Sequence, residues 1–260
     1  MISLIFLTYL VNRCKYIINL PIDEVCQGNC GRNRSQGKAV KITKEIFQVG
    51  GGQLTSSEDA AIYLINFDVH AALVDAGCGD AQDRLLANIR SCGIKLEQIA
   101  YLLLTHCHYD HTGGVKALKD LLKCQTVAHE LDAPFLEQGD NVVTAANWYE
   151  TKIQPFQVDH KISGSQEEIS LGGRVIQAIH TPGHSPGSLV YLTESEGMKV
   201  LFGQDIHGPL HPDLKSNAVA YQRSLALMLS LEADILCEGH HGVYRGKKEV
   251  ADFIRYFMSA

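Results

Sequence analysis

Hydrophobic and polar positions follow two different patterns along the chain, and the pattern changes near residue 40. The first ten residues, MISLIFLTYL, are almost wholly apolar, and residues 21–38 are polar and rich in turn-forming residues, which is typical of a linker. From Val40 onward, short apolar runs alternate with amphipathic segments. The pattern therefore predicts an N-terminal extension and linker over residues 1–38, followed by a single domain over residues 39–260.

The segments after residue 40 predict a mixed architecture. Apolar runs and alternating stretches predict strands at residues 40–49, 60–67, 71–74, 99–104, 126–128, 156–158, 174–179, 188–192, 199–202 and 235–237. Apolar residues at helical spacing predict helices at residues 81–92, 115–123, 131–138, 218–231 and 247–257, whereas residues 139–152 fit neither pattern. Because strands come in groups with helices interspersed in both halves, we expect an α+β fold of two packed sheets with helices outside.

Composition narrows the class of protein. Hydrophobic residues make up 45% and charged residues 20% of the chain, which excludes a disordered, collagen-like or multi-span membrane protein. The net charge of −6 shows no basic excess, so nucleic acid is not an expected partner. The apolar start is too short to span a bilayer and lacks a basic segment and a clear cleavage site. We expect a cytoplasmic protein that acts on a small molecule. Secretion or anchoring and the oligomeric state stay open, with a homodimer among the options.

The eight cysteines agree with that location. In a chain of 260 residues they are too sparse for the disulfide framework of a small secreted domain, so they favour free or buried thiols in a reducing compartment. Cys26 and Cys30 could form half of a metal site or a disulfide, but no second pair of Cys or His lies near them in the sequence.

The twelve histidines are concentrated where the chemistry is expected. The segment THCHYDHTGG, residues 105–114, places His106, His108, Asp110 and His111 directly after a predicted buried strand. In an extended segment the first two histidines point to the same side, because side chains alternate with a period of two. Imidazole and carboxylate groups are suitable ligands for zinc, iron or manganese, and packing them together without a metal would carry a desolvation penalty.

Three further segments end predicted strands with the same residue types. His184 lies in HTPGHSPGS at residues 180–188, where proline and glycine favour a rigid turn. Asp205 ends the apolar run VLFGQD, and His240 and His241 follow the strand in ILCEGHHG. Because active sites collect at strand ends, we expect these side chains to meet those of residues 106–111.

In this order and spacing, these residues resemble the signature of the metallo-β-lactamase-fold hydrolases over about residues 40–257. The resemblance implies a four-layer αββα sandwich with a dinuclear metal site at one edge of its two sheets. It places His106, His108 and His184 on the first metal, Asp110, His111 and His240 on the second, and Asp205 between the two. We expect two zinc ions, with iron or manganese as alternatives.

Two points of that assignment depend on neighbouring residues. His241 could replace His240 as a ligand, although His240 directly follows the glycine, as in the family pattern. The resemblance also implies that Asp75, in the turn VDAG, is a structural support of the metal loop.

The implied mechanism assigns roles to several residues around the metals. Two metals can share a water and lower its pKa, and the metal-bound hydroxide then attacks an electrophilic carbonyl or phosphorus. Asp110 is the expected catalytic residue, because it can both ligate and orient that hydroxide. His207 and His211 follow Asp205 on a loop rich in glycine and proline, and are candidates for the substrate pocket or for proton donation.

The remaining residues of interest have simpler expected roles. Cys107 is expected to be a packed residue that points away from the ligands, and His180 is a candidate support for the turn that carries His184. We interpret His70, His129 and His160 as surface or turn residues.

Features that are absent narrow the implied substrate. β-Lactamases of one subclass use a cysteine where this chain has Asp205, and another subclass lacks the bridging acid, so only promiscuous β-lactamase activity is expected. The C-terminal helical region of glyoxalase II and the inserted domain of the nuclease members are not recognisable. We therefore expect hydrolysis of a small ester, thioester or lactone.

The main alternative is a mononuclear iron enzyme similar to the persulfide dioxygenases, which would use His106, His108 and His184 alone. A non-catalytic partner of a flavin domain is disfavoured, because no flavodoxin-like segment is recognisable.

Overall fold

A computed structural model describes residues 37–203 and 205–258 of the chain. Its strands are β1 (Val40–Lys41), β2 (Ile46–Gly50), β3 (Ile62–Phe67), β4 (His70–Val74), β5 (Ile99–Leu103), β6 (Gln125–His129), β7 (His160–Ile162), β8 (Gln166–Leu171), β9 (Arg174–His180), β10 (Leu189–Ser195), β11 (Met198–Phe202), β12 (Ile235–Cys237) and β13 (Val243–Arg245). Its helices are α1 (Gln82–Ser91), α2 (Tyr109–Thr112), α3 (Val115–Leu122), α4 (Ala133–Gln138), α5 (Ala218–Ser230) and α6 (Lys247–Met258). Almost all of the expected extension over residues 1–38, with Cys26 and Cys30, lies outside the described residues, so the domain boundary stays a prediction.

The strands form two sheets. The first has the order β1-β2-β3-β4-β5-β6-β7, with antiparallel pairs up to β4 and parallel pairs from β4 to β7. The second has the order β13-β12-β11-β10-β9-β8, in which β11 and β12 are parallel and the other pairs are antiparallel. Parallel strands end at the same edge of a sheet, so the loops after β4 and β5 lie side by side, as do those after β11 and β12.

A hydrophobic core fills the space between the sheets. Alternate residues of β3 point into this core, where the ring of Tyr63 packs against that of Phe202 on β11 at 5.6 Å between centroids. The neighbours of Tyr63 on β3, Ile62 and Leu64, point to the other face of the sheet. There they belong to a separate core, together with apolar residues of α1 and α3. The continuous apolar run of β3 is thus explained, because both faces of the first sheet are covered.

Helices also cover the outer face of the second sheet. Leu201 of β11 and Leu236 of β12 pack with Leu225 of α5 and Ile254 of α6 in a third core. The layers therefore run helix, sheet, sheet, helix, and the expected αββα sandwich is confirmed. Among the described residues, the helices are all too short or too polar to cross a bilayer.

Most predicted elements are present, with each predicted helix within two residues of its observed bounds. Two predicted strands were wrong in detail. The segment 40–49 is two strands, because the chain turns at Ile42 and Thr43, whose N–H groups both donate to the carbonyl of Ile46. Residues 156–158 form no strand. Phe156 and Val158 are buried in the core beneath the helices, so their apolar character reflects packing rather than sheet pairing.

Three strands were missed, namely β7 at one edge of the first sheet and β8 and β13 at the two edges of the second. In β7 only Ile162 is buried. In β8 only Ile169 and Leu171 are buried, and β13 carries no buried residue. Edge strands with solvent on one face carry a weak apolar signal, which is why the sequence pattern did not reveal them.

Candidate metal centre

Loops from both sheets bring the seven residues proposed from the sequence to one place. Residues 106–111 follow β5 and include the one-turn helix α2, His184 lies in the turn between β9 and β10, Asp205 follows β11, and His240 follows β12. We call the seven residues the His/Asp cluster: His106, His108, Asp110, His111, His184, Asp205 and His240. They form two groups in which ligand atoms lie within 4.8 Å of one another, namely His106, His108, His184 and Asp205, and Asp110, His111 and His240. A third group of the same compactness, Asp205, His207 and His240, shares a residue with each of the two.

Asp205 lies between the two groups. Its Oδ2 is 3.1 Å from His184 Nε2 and 3.6 Å from His106 Nε2. Its Oδ1 is 3.2 Å from His111 Nε2 and 3.3 Å from His240 Nε2. One carboxylate therefore faces both sets of imidazoles with a different oxygen for each, which is the arrangement of a bridging ligand.

Asp110 completes the second group. Its Oδ2 is 3.3 Å from His240 Nε2 and 3.9 Å from His111 Nε2. The position of Asp110 follows from the local fold, because α2 starts immediately after His108 and turns the chain so that the next carboxylate and imidazole face inward.

The inward-facing atoms of the cluster are buried without hydrogen-bond partners. Among the described residues, this holds for the Nε2 atoms of His106, His108, His111 and His184 and for Oδ1 of Asp205. Unsatisfied buried polar atoms are rare in folded proteins, and each carries a desolvation penalty. Five such atoms aimed at one place, all of types that coordinate divalent metals, fit a metal site.

The Nδ1 atoms of three cluster histidines have hydrogen-bond partners in the protein. His111 Nδ1 is 2.6 Å from Asp75 Oδ2, and His184 Nδ1 is 2.9 Å from the carbonyl oxygen of Pro209. His106 Nδ1 is 3.0 Å from Thr105 Oγ1, whose hydroxyl donates to Asp75 at 2.7 Å. Each contact leaves the Nε2 lone pair directed at the centre, as metal-binding histidines require.

Charge within the cluster is unevenly distributed. Burial lowers the pKa of His106 and His108 well below the usual range, because the charged form loses its hydration. Burial acts in the same direction at His240, but the carboxylates of Asp205 and Asp110 outweigh it and raise the pKa of His240 to about 10. The second group therefore attracts positive charge, which a divalent cation would also supply.

The expected support from Asp75 is present. This buried carboxylate accepts the N–H of Thr105 at 2.8 Å in addition to its contact with His111. The turn that follows it packs tightly on the Gly-Gly pair after α2. A Cβ at Gly114 would lie 2.5 Å from the carbonyl oxygen of Ala76, so only glycine permits this approach.

Glu238 is a buried residue beside the cluster that the sequence analysis did not single out. Its Oε2 accepts the N–H groups of His240 and His241 at 2.7 and 2.8 Å, and its Oε1 is 2.9 Å from His207 Nδ1. Burial alone would raise the pKa of Glu238, but the neighbouring His207 lowers it to about 2. The signal was present in the sequence, since this acid ends β12 two residues before a proposed ligand.

The loop histidines lie at different distances from the cluster. His240 Nε2 is 3.3 Å from carboxylate oxygens of both Asp110 and Asp205, whereas the ring of His241 packs near Phe253 of α6 at 6.1 Å between centroids. His207 lies beside the cluster, with its ring centroid 5.1 Å from that of His240. His211 is farther along the same loop and meets the partly exposed Trp148 edge to face at 5.4 Å between ring centroids.

One of the three histidines taken as surface or turn residues was interpreted wrongly. His129 is buried, and its ring stacks on that of His180 at 3.8 Å between centroids with an interplanar angle of 13°. It ends β6 under the turn that carries His184, so a polar residue at a strand end was mistaken for a surface residue. His180 itself contacts the carbonyl oxygen of Pro186 at 2.9 Å, as expected for a support of that turn. His70 is exposed, and the partly exposed His160 pairs with Glu167.

Asp132 was also missed. It is buried and accepts hydrogen bonds from Cys107, Ser185 and Gly187. These partners are 25 to 55 residues away in sequence, so no local pattern could have revealed them. Cys107 is fully buried between two proposed ligands, which confirms its expected role as a packed residue.

The Lactamase_B family model, described as the metallo-beta-lactamase superfamily, matches residues 58–240. The chain belongs to the metallo-beta-lactamase superfamily. The match spans most of the described domain and contains all seven residues of the His/Asp cluster.

Several curated members of the superfamily are similar to this chain. A probable metallo-hydrolase of Methanocaldococcus jannaschii is 29% identical over 47% of this chain and 57% of its own length. An atrochrysone carboxyl ACP thioesterase of Aspergillus fumigatus is 28% identical over 70% of this chain and 38% of its own length. An N-acyl homoserine lactonase of Bacillus cereus is 30% identical over 46% of this chain and 44% of its own length. Each match thus spans little more than half of the relative at most.

Solved structures of the superfamily share the fold. A subclass B3 metallo-beta-lactamase of Bradyrhizobium japonicum superposes with a TM-score of 0.70 at 22% identity, covering 86% of this chain and 91% of that structure. At this identity the likeness establishes the αββα sandwich, while the activity has to be argued from the site itself.

Proposed function

We propose that this protein is a dinuclear metal-dependent hydrolase that acts on a small ester, thioester or lactone. His106, His108 and His184 would hold the first metal, Asp110, His111 and His240 the second, and Asp205 both. Zinc is the proposed metal, because histidine and carboxylate ligands with an open position suit it.

The observation that carries this proposal is the set of five buried, inward-facing ligand atoms without hydrogen-bond partners. A merely structural role would satisfy these atoms with protein donors or acceptors. The Nδ1 atoms of His106, His111 and His184 have partners and only their inward edges are left, which supports a resident cation.

The residues of the chain divide the work of hydrolysis between them. Bound divalent metals would supply a water of lowered pKa and positive charge for the anion that develops on the substrate. Asp110 faces His111 and His240 of the second group and would orient the attacking water. His207 is fixed through Nδ1 by Glu238, so its Nε2 edge is the one available to the substrate.

The geometry supports a dinuclear site over the mononuclear alternative. A dioxygenase-like site would need only His106, His108 and His184. Asp110, His111 and His240 form a second group of equal compactness, and a carboxylate of Asp205 faces both. A mononuclear enzyme would leave this second set of ligand-type atoms without a metal.

The comparisons support an acyl-transfer reaction to water. The similar proteins include a thioesterase and a lactonase, which both cleave an acyl carbon–heteroatom bond. Asp205 supplies a bridging carboxylate, so we propose at most promiscuous β-lactamase activity. His211, with Trp148 packed against it, would contact the part of the substrate that does not react.

Metal content and activity test the proposal together. Protein purified, chelated and reconstituted with zinc should contain about two zinc ions per chain and recover hydrolysis that chelation abolished. Zinc content below about one per chain would refute the site. One iron per chain with oxygen consumption on glutathione persulfide would instead establish the mononuclear alternative.

The substrate class is tested with a panel of thioesters, lactones, aryl esters, β-lactams and phosphodiesters at fixed metal content. We expect the largest kcat/KM on a thioester or lactone. A preference for β-lactams or phosphodiesters would overturn the proposed substrate class but not the metal site.

A further inference from the structure

Asp132 is a buried carboxylate beside the His/Asp cluster that belongs to neither metal group. It lies just after β6, and within the described residues the structure records no ion pair for it. Its hydrogen bonds are instead directed at two separate loops. A buried carboxylate is expensive unless donors surround it, so its presence here requires an explanation.

The two oxygens of Asp132 bind the two loops that carry the first group of histidines. Oδ2 accepts the N–H of Cys107 at 3.0 Å, between His106 and His108. The same oxygen accepts the hydroxyl of Ser185 at 2.6 Å, and Oδ1 accepts the N–H of Gly187 at 2.7 Å. Cys107 is flanked on both sides by proposed ligands, and Ser185 directly follows His184.

The contact between these loops leaves little freedom. A Cβ at Gly187 would lie 2.7 Å from the Asp132 carboxyl carbon, so the turn closes directly over the carboxylate. Ser185 Oγ also lies 2.9 Å from Ser188 Oγ, which accepts the N–H of Ser185 at 3.0 Å. The turn that carries His184 is thus organised around Asp132.

We propose that Asp132 is a positioning residue of the metal centre, whose carboxylate ties the loop of His106 and His108 to the turn of His184 and thereby sets the geometry of the first metal position. This inference rests on the proposed function. Asp75 contacts His111 of the second position directly and also binds Thr105, whose hydroxyl oxygen lies 3.0 Å from His106 Nδ1. The hydrogen bonds of Asp132, in contrast, are with the two loops of the first position.

The test is the separate affinity of the two metal positions in Asp132→Asn. An amide can accept through one oxygen only, so either Gly187 or Cys107 loses its acceptor. Stepwise zinc titration against a competing chelator measures two constants, and His108→Ala and His240→Ala variants assign them to the first and second positions. We expect first-position affinity to fall roughly 10–100-fold and second-position affinity to change little.

Asp159→Asn is the matched control. Asp159 accepts the N–H and hydroxyl of Thr126 at 2.8 and 2.9 Å at the other end of β6, and its partners are not neighbours of the cluster. This variant should lose some thermal stability and keep both zinc affinities. Ser185→Ala is a milder second variant, which removes one donor to Asp132 and should weaken the first position selectively but by less.

Each result has a defined meaning. A selective loss at the first position in Asp132→Asn supports the inference. Unchanged affinities, or equal losses at both positions, overturn it. If Asp132→Asn does not fold, Ser185→Ala decides, since an unchanged ratio of the two constants overturns the inference as well. Absence of zinc binding in the wild-type protein would refute the proposed function instead, so the two failures are distinguishable.

Discussion

Two acids at the metal centre adopt backbone conformations that L-residues usually avoid. Asp75 has φ of 63° and Asp205 has φ of 49°, both in the left-handed region. Aspartate tolerates this region better than most residues, and strain of roughly 1–3 kcal/mol per residue is typical of functional sites. Both carboxylates contact histidines of the cluster, Asp75 at His111 and Asp205 at His184.

At the residue scale, Asp110→Ala should lower kcat roughly 10²–10⁴-fold without unfolding the protein. The carboxylate faces His111 and His240, so its loss would remove a proposed ligand and the group proposed to orient water. Steady-state kinetics at saturating zinc, with circular dichroism as the folding check, measures the effect.

Asp120→Ala is the control for that variant. Asp120 is exposed on α3 and pairs with Lys116 one turn earlier, so its loss should leave kcat unchanged. Full activity of Asp110→Ala with normal zinc content would remove Asp110 from the catalytic machinery.

At the scale of elements, α5 supports the turn that carries His184. The carbonyl of Gly183 accepts the N–H of Asn217 at the start of the helix, and Ser224 donates to the carbonyl of Pro182 at 2.7 Å. A Cβ at Gly183 would lie 2.3 Å from the Cα of Tyr221, so the helix rests directly on the turn. The outer helix layer thus contributes to the site without supplying a ligand.

The loop between β1 and β2 is tied to the second sheet at Glu45. Its Oε1 binds Arg174 of β9 at 2.7 Å, and its Oε2 accepts the hydroxyl of Ser195 of β10 at 2.7 Å. Arg174 also lies over the ring of Phe67, 3.8 Å from the centroid. Burial favours the protonated form of Glu45, but the bonds from Ser195 and Arg174 outweigh it and hold its pKa below the usual value.

Because the pKa of Glu45 is lowered, its contribution to the stability of the folded protein depends on pH. A carboxyl group with a lower pKa in the folded protein stabilises it above the ordinary pKa of about 4.3 and loses this effect as the pH falls through the folded value. Glu45→Gln should therefore lower the free energy of unfolding by roughly 0.2–1 kcal/mol at pH 7, and the difference from wild type should shrink toward about pH 3.5. Urea denaturation of the chelated protein at both pH values measures it, because chelation removes the pH dependence of metal binding.

Glu168→Gln, on the exposed side of β8, is the control and should equal wild type at both pH values. A Glu45→Gln difference that is constant with pH would show that the ionised form of Glu45 does not stabilise the sheets.

At the scale of the whole molecule, the two sheets meet at the His/Asp cluster. The first sheet supplies the proposed ligands after β5, and the second supplies His184, Asp205 and His240. A bound metal would therefore link both sheets. Its removal would leave buried imidazole nitrogens and a carboxylate oxygen without hydrogen-bond partners.

Chelation should consequently lower the melting temperature. A ligand at about 100 times its Kd stabilises by about 2.7 kcal/mol, which corresponds to roughly 5–10 °C for a domain of this size. Differential scanning calorimetry with zinc or with chelator measures the shift. A His106→Ala, His240→Ala double variant should melt at the same temperature in both solutions. Equal melting temperatures for the wild-type protein would contradict a metal that links the sheets.

Much of the fold was accessible from local pattern. Buried strands such as β3 and helices such as α1 carry strong periodicity, because their environment is uniform along their length. The sequence pattern missed the edge strands β7, β8 and β13, and it predicted a strand where Phe156 and Val158 form a buried coil. At these places burial and strand pairing do not coincide.

The amino-acid sequence alone carried the identity and order of the His/Asp cluster, because ligand chemistry depends on residue type and the residues stand at predicted strand ends. It left open the choice between His240 and His241, and it gave no sign of Asp132 or of the buried stack of His129 and His180. Those features depend on contacts between residues distant in the chain. Pairwise distances across two sheets and three loops arise only when the layers pack, so the tertiary structure had to supply them.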